Sequence, residues 1–205
     1  MQRKSVLRYS LIGLSVLLGV AIRFANFDSF EIQYVAALQK AVIQANIMWF
    51  LQLYGHLGDS IVWVGVALLL LAFDFRRPRK AIKFASFITV VAVVVIVMRI
   101  VFPRVRPPAA FPSLVGDYAP EPIPSYPSGH LAPSAGGFYL LADHSRWRYI
   151  AFGALVILLA VSRVATGTHF FTDVMGSALF SYPMAAIIDD LKVFERFKER
   201  GPAKS

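Results

Sequence analysis

The sequence predicts an all-α, polytopic membrane protein with six transmembrane helices in a bundle and an interfacial helix between spans one and two. Two observations carry that prediction. The 205 residues are 57% apolar and only 16% charged, too oily for an ordinary soluble domain. The basic residues fall in short clusters between the apolar runs rather than along one face, which is the pattern of membrane topology and not of nucleic-acid binding, despite a formal charge of +9. One membrane-embedded domain over residues 1–205 is expected at this length, because helices packed in lipid need no separate water-driven core. The chain has no cysteine, so disulfides and thiolate metal sites are excluded.

The first run, Val6 to Phe24, is headed by Arg3, Lys4 and Arg8. It reads as a transmembrane helix rather than a signal peptide, since it approaches the roughly 20 residues a bilayer needs and ends in IRFANFD without a small-residue cleavage site. The further runs are Ile61 to Phe75, Ile82 to Phe102, Leu131 to Ala142, Tyr149 to Ala165 and Phe170 to Ile188. The second and fourth are short, and both are expected to extend into flanking residues. Between the first two spans, Gln33, Lys40 and Gln44 recur at i, i+7 and i+11 and so share one helical face. That fits a helix lying in the interface plane, with packing along the bundle as the alternative. The segment Pro103 to Pro127 holds most of the 12 prolines and reads as a loop.

Orientation follows from lysine and arginine. With the N-terminus inside, the cytoplasmic segments hold most of the 21 basic residues, leaving Arg23, Lys40, Arg99, Arg104, Arg106 and Arg163 for the opposite side. Both termini are therefore expected in the cytoplasm. The same topology brings three places to the non-cytoplasmic face: the end of span three (MRIVFPRVRPP), the start of span four (YPSGH) and the junction of spans five and six (SRVATGTHFFTDV).

These places carry Arg99, Arg106, Arg163, His130, His169 and Asp173. Ionisable groups near membrane depth are costly and are functional candidates. Gathered guanidiniums repel unless an anion lies between them, and their planar forks suit phosphate oxygens. If span six starts near Thr168, His169 and Asp173 share a helical face, and the carboxylate can hold one ring nitrogen protonated while the other attacks. His130 follows Ser128 and Gly129 at a helix start, where backbone N–H groups favour an anion. It is placed to protonate a leaving oxygen. Among the remaining residues, Arg104 reads as a snorkelling anchor, Trp49, Trp63 and Trp147 as belt anchors, and His56 and His144 as interfacial. Ser162 is read as either bonding a helix carbonyl or supporting the site.

Arg99-x6-Arg106-Pro107, Pro127-Ser128-Gly129-His130 and Ser162-Arg163-x5-His169-x3-Asp173, in that order, resemble the three signature motifs of the type 2 phosphatidic acid phosphatase (PAP2) superfamily. The resemblance implies a lipid phosphatase in which His169 forms a phosphohistidine, Asp173 orients it and His130 is the general acid. It also implies that Arg99, Arg106, Ser128, Gly129 and Arg163 hold the phosphoryl oxygens. Arg99 stands where the family usually has lysine. No metal or other cofactor is implied, and the sequence has no H-E-x-x-H motif.

The expected partners are the bilayer and a membrane lipid phosphate, with no nucleic acid. Undecaprenyl diphosphate is the substrate expected; phosphatidylglycerophosphate, phosphatidic acid and lipid A are alternatives. A lipid phosphotransferase would use the same nucleophile, and phosphate release separates the two. A non-catalytic transporter would not need the His169 and Asp173 pair. Vanadium haloperoxidases share the motifs, but the known type is soluble.

Overall fold

The structure, a computed structural model, describes residues 2–25, 27–73, 78–107 and 124–196. Most of the proline-rich loop, and Arg76, Arg77, Lys198, Arg200 and Lys204 of the topology count, lie outside the described residues. Within them the secondary structure is entirely helical: α1 Gln2–Phe24, α2 Phe27–Gln44, α3 Met48–Gly55, α4 Ser60–Phe73, α5 Pro78–Val101, α6 Leu131–Ala142, α7 Arg146–Ala165 and α8 Phe171–Asp190. Short 3-10 turns follow α3 and α8.

Four of these helices, α1, α5, α7 and α8, are long and apolar enough to cross a membrane. The second expected span does extend, but as a broken pair: α3 and α4 meet at 48° across a break that contains Asp59. The fourth does not extend. α6 keeps 12 residues, about 18 Å of helix against a hydrocarbon core of about 30 Å. It begins directly after His130 and ends at Asp143, whose left-handed backbone (φ 52°) stops the helix. Among the described residues, length and composition support four spans, or five with the broken pair, so the full count of six is not shown.

Helix α8 forms the centre, packed between α6 and α1, with α5 and α7 alongside. It buries 56% of its most apolar window, against 17% for α1. Its small residues permit that close packing. At Gly176 a Cβ would fall 2.5 Å from the ring of Tyr126, and at Gly136 of α6 a Cβ would fall 2.2 Å from Phe87 and 2.9 Å from the Ser181 carbonyl. The hydroxyl of Ser15 on α1 donates to the Gly176 carbonyl at 2.8 Å. The apolar core around Phe87, Val91, Tyr126 and Phe180 fills the space between α1, α5, α6 and α8.

Helix α2 buries Glu31, Val35, Gln39 and Val42 on one face and packs along α7. Gln33, Lys40 and Gln44 point outward, so the polar stripe read from the sequence lies opposite the packed face. Two anchor readings fail. Trp63 is 3% exposed, edge-on to Phe138, and its Nε1 donates to Ser134 Oγ at 2.9 Å; a tryptophan whose N–H finds a buried acceptor packs inside rather than at the rim. Arg104 is also interior, as described below. Trp49 and Trp147 are exposed.

Candidate active site

The C-terminal ends of α5 and α7, the N-terminal ends of α6 and α8 and the α3–α4 break meet at one end of the bundle. Between α7 and α8 the chain turns tightly on one acceptor. The carbonyl of Arg163 takes hydrogen bonds from the backbone N–H groups of Thr168 (3.1 Å) and His169 (3.2 Å) and from the Thr168 hydroxyl (2.8 Å). Gly167 has φ +73°, a left-handed conformation that glycine adopts without steric cost. The turn leaves His169 in the connection, with α8 starting at Phe171. His169 and Asp173 therefore do not share a helical face as the spacing suggested.

Asp173, in the first turn of α8, nevertheless reaches back. Its Oδ2 accepts the Phe170 N–H at 2.9 Å and stands 3.4 Å from His169 Nδ1. The first contact is the backward half of a capping box; the second is an ion-pair contact rather than a hydrogen bond, and neither ring nitrogen of His169 makes one. Both side chains are fully buried. Nδ1 is the ring nitrogen turned to the carboxylate.

The other oxygen of Asp173 is held by Arg104, whose guanidinium donates to Asp173 Oδ1 (2.7 Å), Thr172 Oγ1 (2.6 Å), Asp28 Oδ1 (2.8 Å) and Glu31 Oε1 (3.2 Å). It also lies 3.9 Å over the Phe170 ring. Glu31 in turn accepts the Thr172 N–H at 3.1 Å. Arg104 is thus a buried hub that joins α2 to the start of α8, not a snorkelling anchor. Three carboxylates offset its desolvation, which no bilayer interface would do.

His130 precedes the first residue of α6, and its ring centroid is 6.4 Å from that of His169. Its Nε2 pairs with Asp59 Oδ1 at 2.7 Å, while Asp59 Oδ2 pairs with Nδ1 of the exposed His56 at 2.9 Å. Burial, then the charges of Arg163 and His169, hold the His130 imidazole well below its ordinary protonation range; Asp59 pulls the other way. Burial likewise lowers His169, to about 4, with Arg163 and Arg106 adding to it and Asp173 opposing. Near neutral pH His169 is unprotonated, the form in which an imidazole nitrogen can attack.

The cations surround this pair. Arg106 and Arg163 are buried and close enough for their charges to act on His169. The Arg99 guanidinium lies over Gly129, where a Cβ would fall 2.8 Å from its Nη2, and its Nε donates to the Pro127 carbonyl at 3.4 Å. Glycine at 129 is what lets that guanidinium approach the backbone. Ser128 is fully buried; its hydroxyl accepts the Leu131 N–H at 3.3 Å, capping α6, and its own N–H donates to the Asp173 carbonyl at 3.3 Å. Ser162 bonds a helix carbonyl, that of Leu51 on α3, at 2.6 Å.

All eight residues read from the motifs thus lie at one end of the bundle. Sequence reading missed Asp59, Arg104 and Glu31. Glu31 and Asp59 are both acidic residues of the one segment between spans one and two, with nothing in their spacing to say which side chain each would meet, and Arg104 was read as an anchor. Among the described residues, no three His, Asp or Glu side chains cluster closely enough to hold a metal ion.

Residues 100–191 match the PAP2 superfamily. An undecaprenyl-diphosphatase of Sulfolobus acidocaldarius is 36% identical over 140 residues, which is 65% of this chain and 64% of that protein. A phosphatidylglycerophosphatase B of Bacillus subtilis is 34% identical over 87 residues, 36% of this chain and 38% of that protein. The chain therefore spans less than two thirds of the length of these curated relatives. The crystal structure of a transmembrane PAP2 type phosphatidylglycerolphosphate phosphatase from Bacillus subtilis shares the fold, with a TM-score of 0.73 over 95% of this chain and 98% of that one at 23% identity.

Proposed function

We propose that the chain, whose residues 100–191 match the PAP2 superfamily, is an integral membrane lipid phosphatase that works through a phosphohistidine without a metal. The observation that carries the reading is the pair of imidazoles 6.4 Å apart, one facing Asp173 and the other Asp59, with three arginines around them. That gap suits one phosphoryl group. Nε2 of His169 attacks phosphorus, the bond to the leaving oxygen breaks, and the protonated His130 gives that oxygen its proton. Water then attacks phosphorus, His130 takes the water's proton, and the P–N bond breaks to release phosphate and free His169.

Arg99, Arg106 and Arg163 supply the charge that a metal would otherwise bring to the transferring phosphoryl group, with Gly129 giving Arg99 its approach and Ser128 fixing the start of α6. A phosphate dianion between the imidazoles also helps His130 to hold a proton, since an adjacent negative charge favours the protonated ring.

Undecaprenyl diphosphate is the proposed substrate, supported by the 36% identical relative. Phosphatidylglycerophosphate is next, supported by the phosphatidylglycerophosphatase relative. The site faces the non-cytoplasmic side in this reading, supported by the basic residues Arg79, Lys80, Lys83, Arg146 and Arg148 at the opposite helix ends.

Phosphate release from these lipids by purified protein, beside His169→Ala, tests the proposal. The parent should release phosphate, and the folded variant should lose several powers of ten in turnover. Retained turnover in folded His169→Ala would remove the nucleophile, and lipid-to-lipid transfer without phosphate release would remove hydrolysis.

A further inference from the structure

At the end of the bundle opposite the histidines, two cavities adjoin. A polar pocket of about 250 Å³ is formed by the start of α5, the end of α6, the start of α7 and the end of α8. An apolar groove of about 660 Å³ runs between α1 and α7 over α6 and α8. Tyr139 and Tyr149 line both, their rings stacked 5.5 Å apart. The groove is within the size range of small-molecule sites. Small residues line it: Ala135 on α6, Gly153 on α7 and Ala178 on α8.

The pocket is biased toward anions. Arg79, Lys80 and Lys83 face it, against Asp143 and Asp189. Lys83 is committed to Asp189 at 2.7 Å, and Lys80 stands 3.6 Å from Asp143. The exposed His144 lies 3.5 Å from Asp189. Arg79 is the cation of this wall for which no carboxylate stands within ion-pair distance among the described residues, and its buried Nε makes no hydrogen bond. At the groove's outer end Arg8 is paired with Asp190 at 2.5 Å, and Lys4 adds another positive charge.

We propose that these cavities form one binding site for an anionic phospholipid of the leaflet opposite the histidine site, with its phosphate against Arg79 and Lys80 and one tail in the groove between α1 and α7. A basic pocket opening directly onto an apolar groove matches the two halves of such a lipid. A soluble anion would use the pocket alone. A second copy of the chain would use the groove alone, and the substrate's own tail would enter the groove from the histidine end.

The test is thermal unfolding of the full chain in detergent, titrated with phosphatidylglycerol, phosphatidylcholine or inorganic phosphate, with native mass spectrometry to count bound lipid. Phosphatidylglycerol should raise the midpoint saturably, and phosphatidylcholine and inorganic phosphate should not. Arg79→Gln with Lys80→Gln should weaken its half-saturation at least tenfold. So should Gly153→Leu, which fills the groove at a position where a Cβ meets nothing within 4 Å. Phosphate release from the substrate should be unchanged in both variants. His169→Ala, which tests the histidine site, should leave the phosphatidylglycerol effect intact, so the two readings can fail separately.

Equal stabilisation by both phospholipids would overturn the proposal, as would protection by inorganic phosphate or parent-like binding by the variants. A raised KM for the lipid substrate in Gly153→Leu would assign the groove to the substrate tail. Loss of a dimer in that variant would assign it to a second copy.

Discussion

Nε2 of His130 lies 2.7 Å from Oδ1 of Asp59, two residues brought together by the bend between α3 and α4. The carboxylate raises the proton affinity of an imidazole that burial and Arg163 otherwise depress. Asp59→Asn should therefore move the alkaline limb of kcat/KM to lower pH and cost at least about tenfold near neutral pH, part of the roughly 10²–10⁴-fold that a general acid supplies. Less should be lost at acidic pH, where His130 regains its proton. A pH–rate profile superposable on that of the parent would show that Asp59 does not act through His130.

Arg104 offers a different test. Alanine there leaves Asp28, Glu31 and Asp173 without their shared cation, and breaking a buried pair of this kind costs about 3–5 kcal/mol. The melting temperature should fall clearly. Arg104→Lys keeps the charge but cannot span acceptors on Asp28, Glu31, Thr172 and Asp173. It should fold, with KM little changed and kcat down by up to about a hundredfold, the scale of misplacing a reacting group by about 1 Å. Parent-like kcat in a stable lysine variant would confine Arg104 to holding the fold.

Gly129→Ala should imitate Arg99→Ala. The new methyl would meet the far end of the Arg99 side chain at 2.8 Å, so the guanidinium must move while the backbone stays. Each variant should lose roughly tenfold or more in kcat/KM, the worth of one charge-assisted contact, with nearly parental melting temperatures. Arg99→Lys should retain part of the activity. Full activity in Gly129→Ala would detach Arg99 from the phosphoryl group.

The buried His169 also links stability to pH. Its folded-state value of about 4 lies below the ordinary 6.5, so the unfolded chain binds its proton first on acidification. The contribution is complete above about pH 6.5 and is lost as the pH falls through about 4. Melting temperature should drop across that window, and His169→Gln should shallow the drop. An identical slope in both proteins would place the acid sensitivity elsewhere.

Chelators should leave phosphate release unchanged, since arginines supply the charge at the site in the proposed mechanism. A rate lost to chelator and restored by Mg²⁺ or Zn²⁺ would refute that part of it.

Apolar runs and basic clusters determined the helical class, and four of the expected spans appear as α1, α5, α7 and α8, because about 20 apolar residues have no other way to satisfy their backbone in lipid. The alternating direction of successive spans also determined that Arg99, His130, Arg163 and His169 would meet at one end. Local sequence encodes such features through length and order along the chain. What each polar side chain faces is another matter, decided by neighbours far away in sequence. Arg104 became a hub because α2 delivered Asp28 and Glu31 to it, Trp63 turned inward because Ser134 offered an acceptor, and Asp59 met His130 because the α3–α4 pair bent. Helix α6 stayed short because Asp143 took a left-handed backbone. A buried charge or N–H is placed by the partner that offsets its desolvation, and only the packed bundle brings that partner within reach.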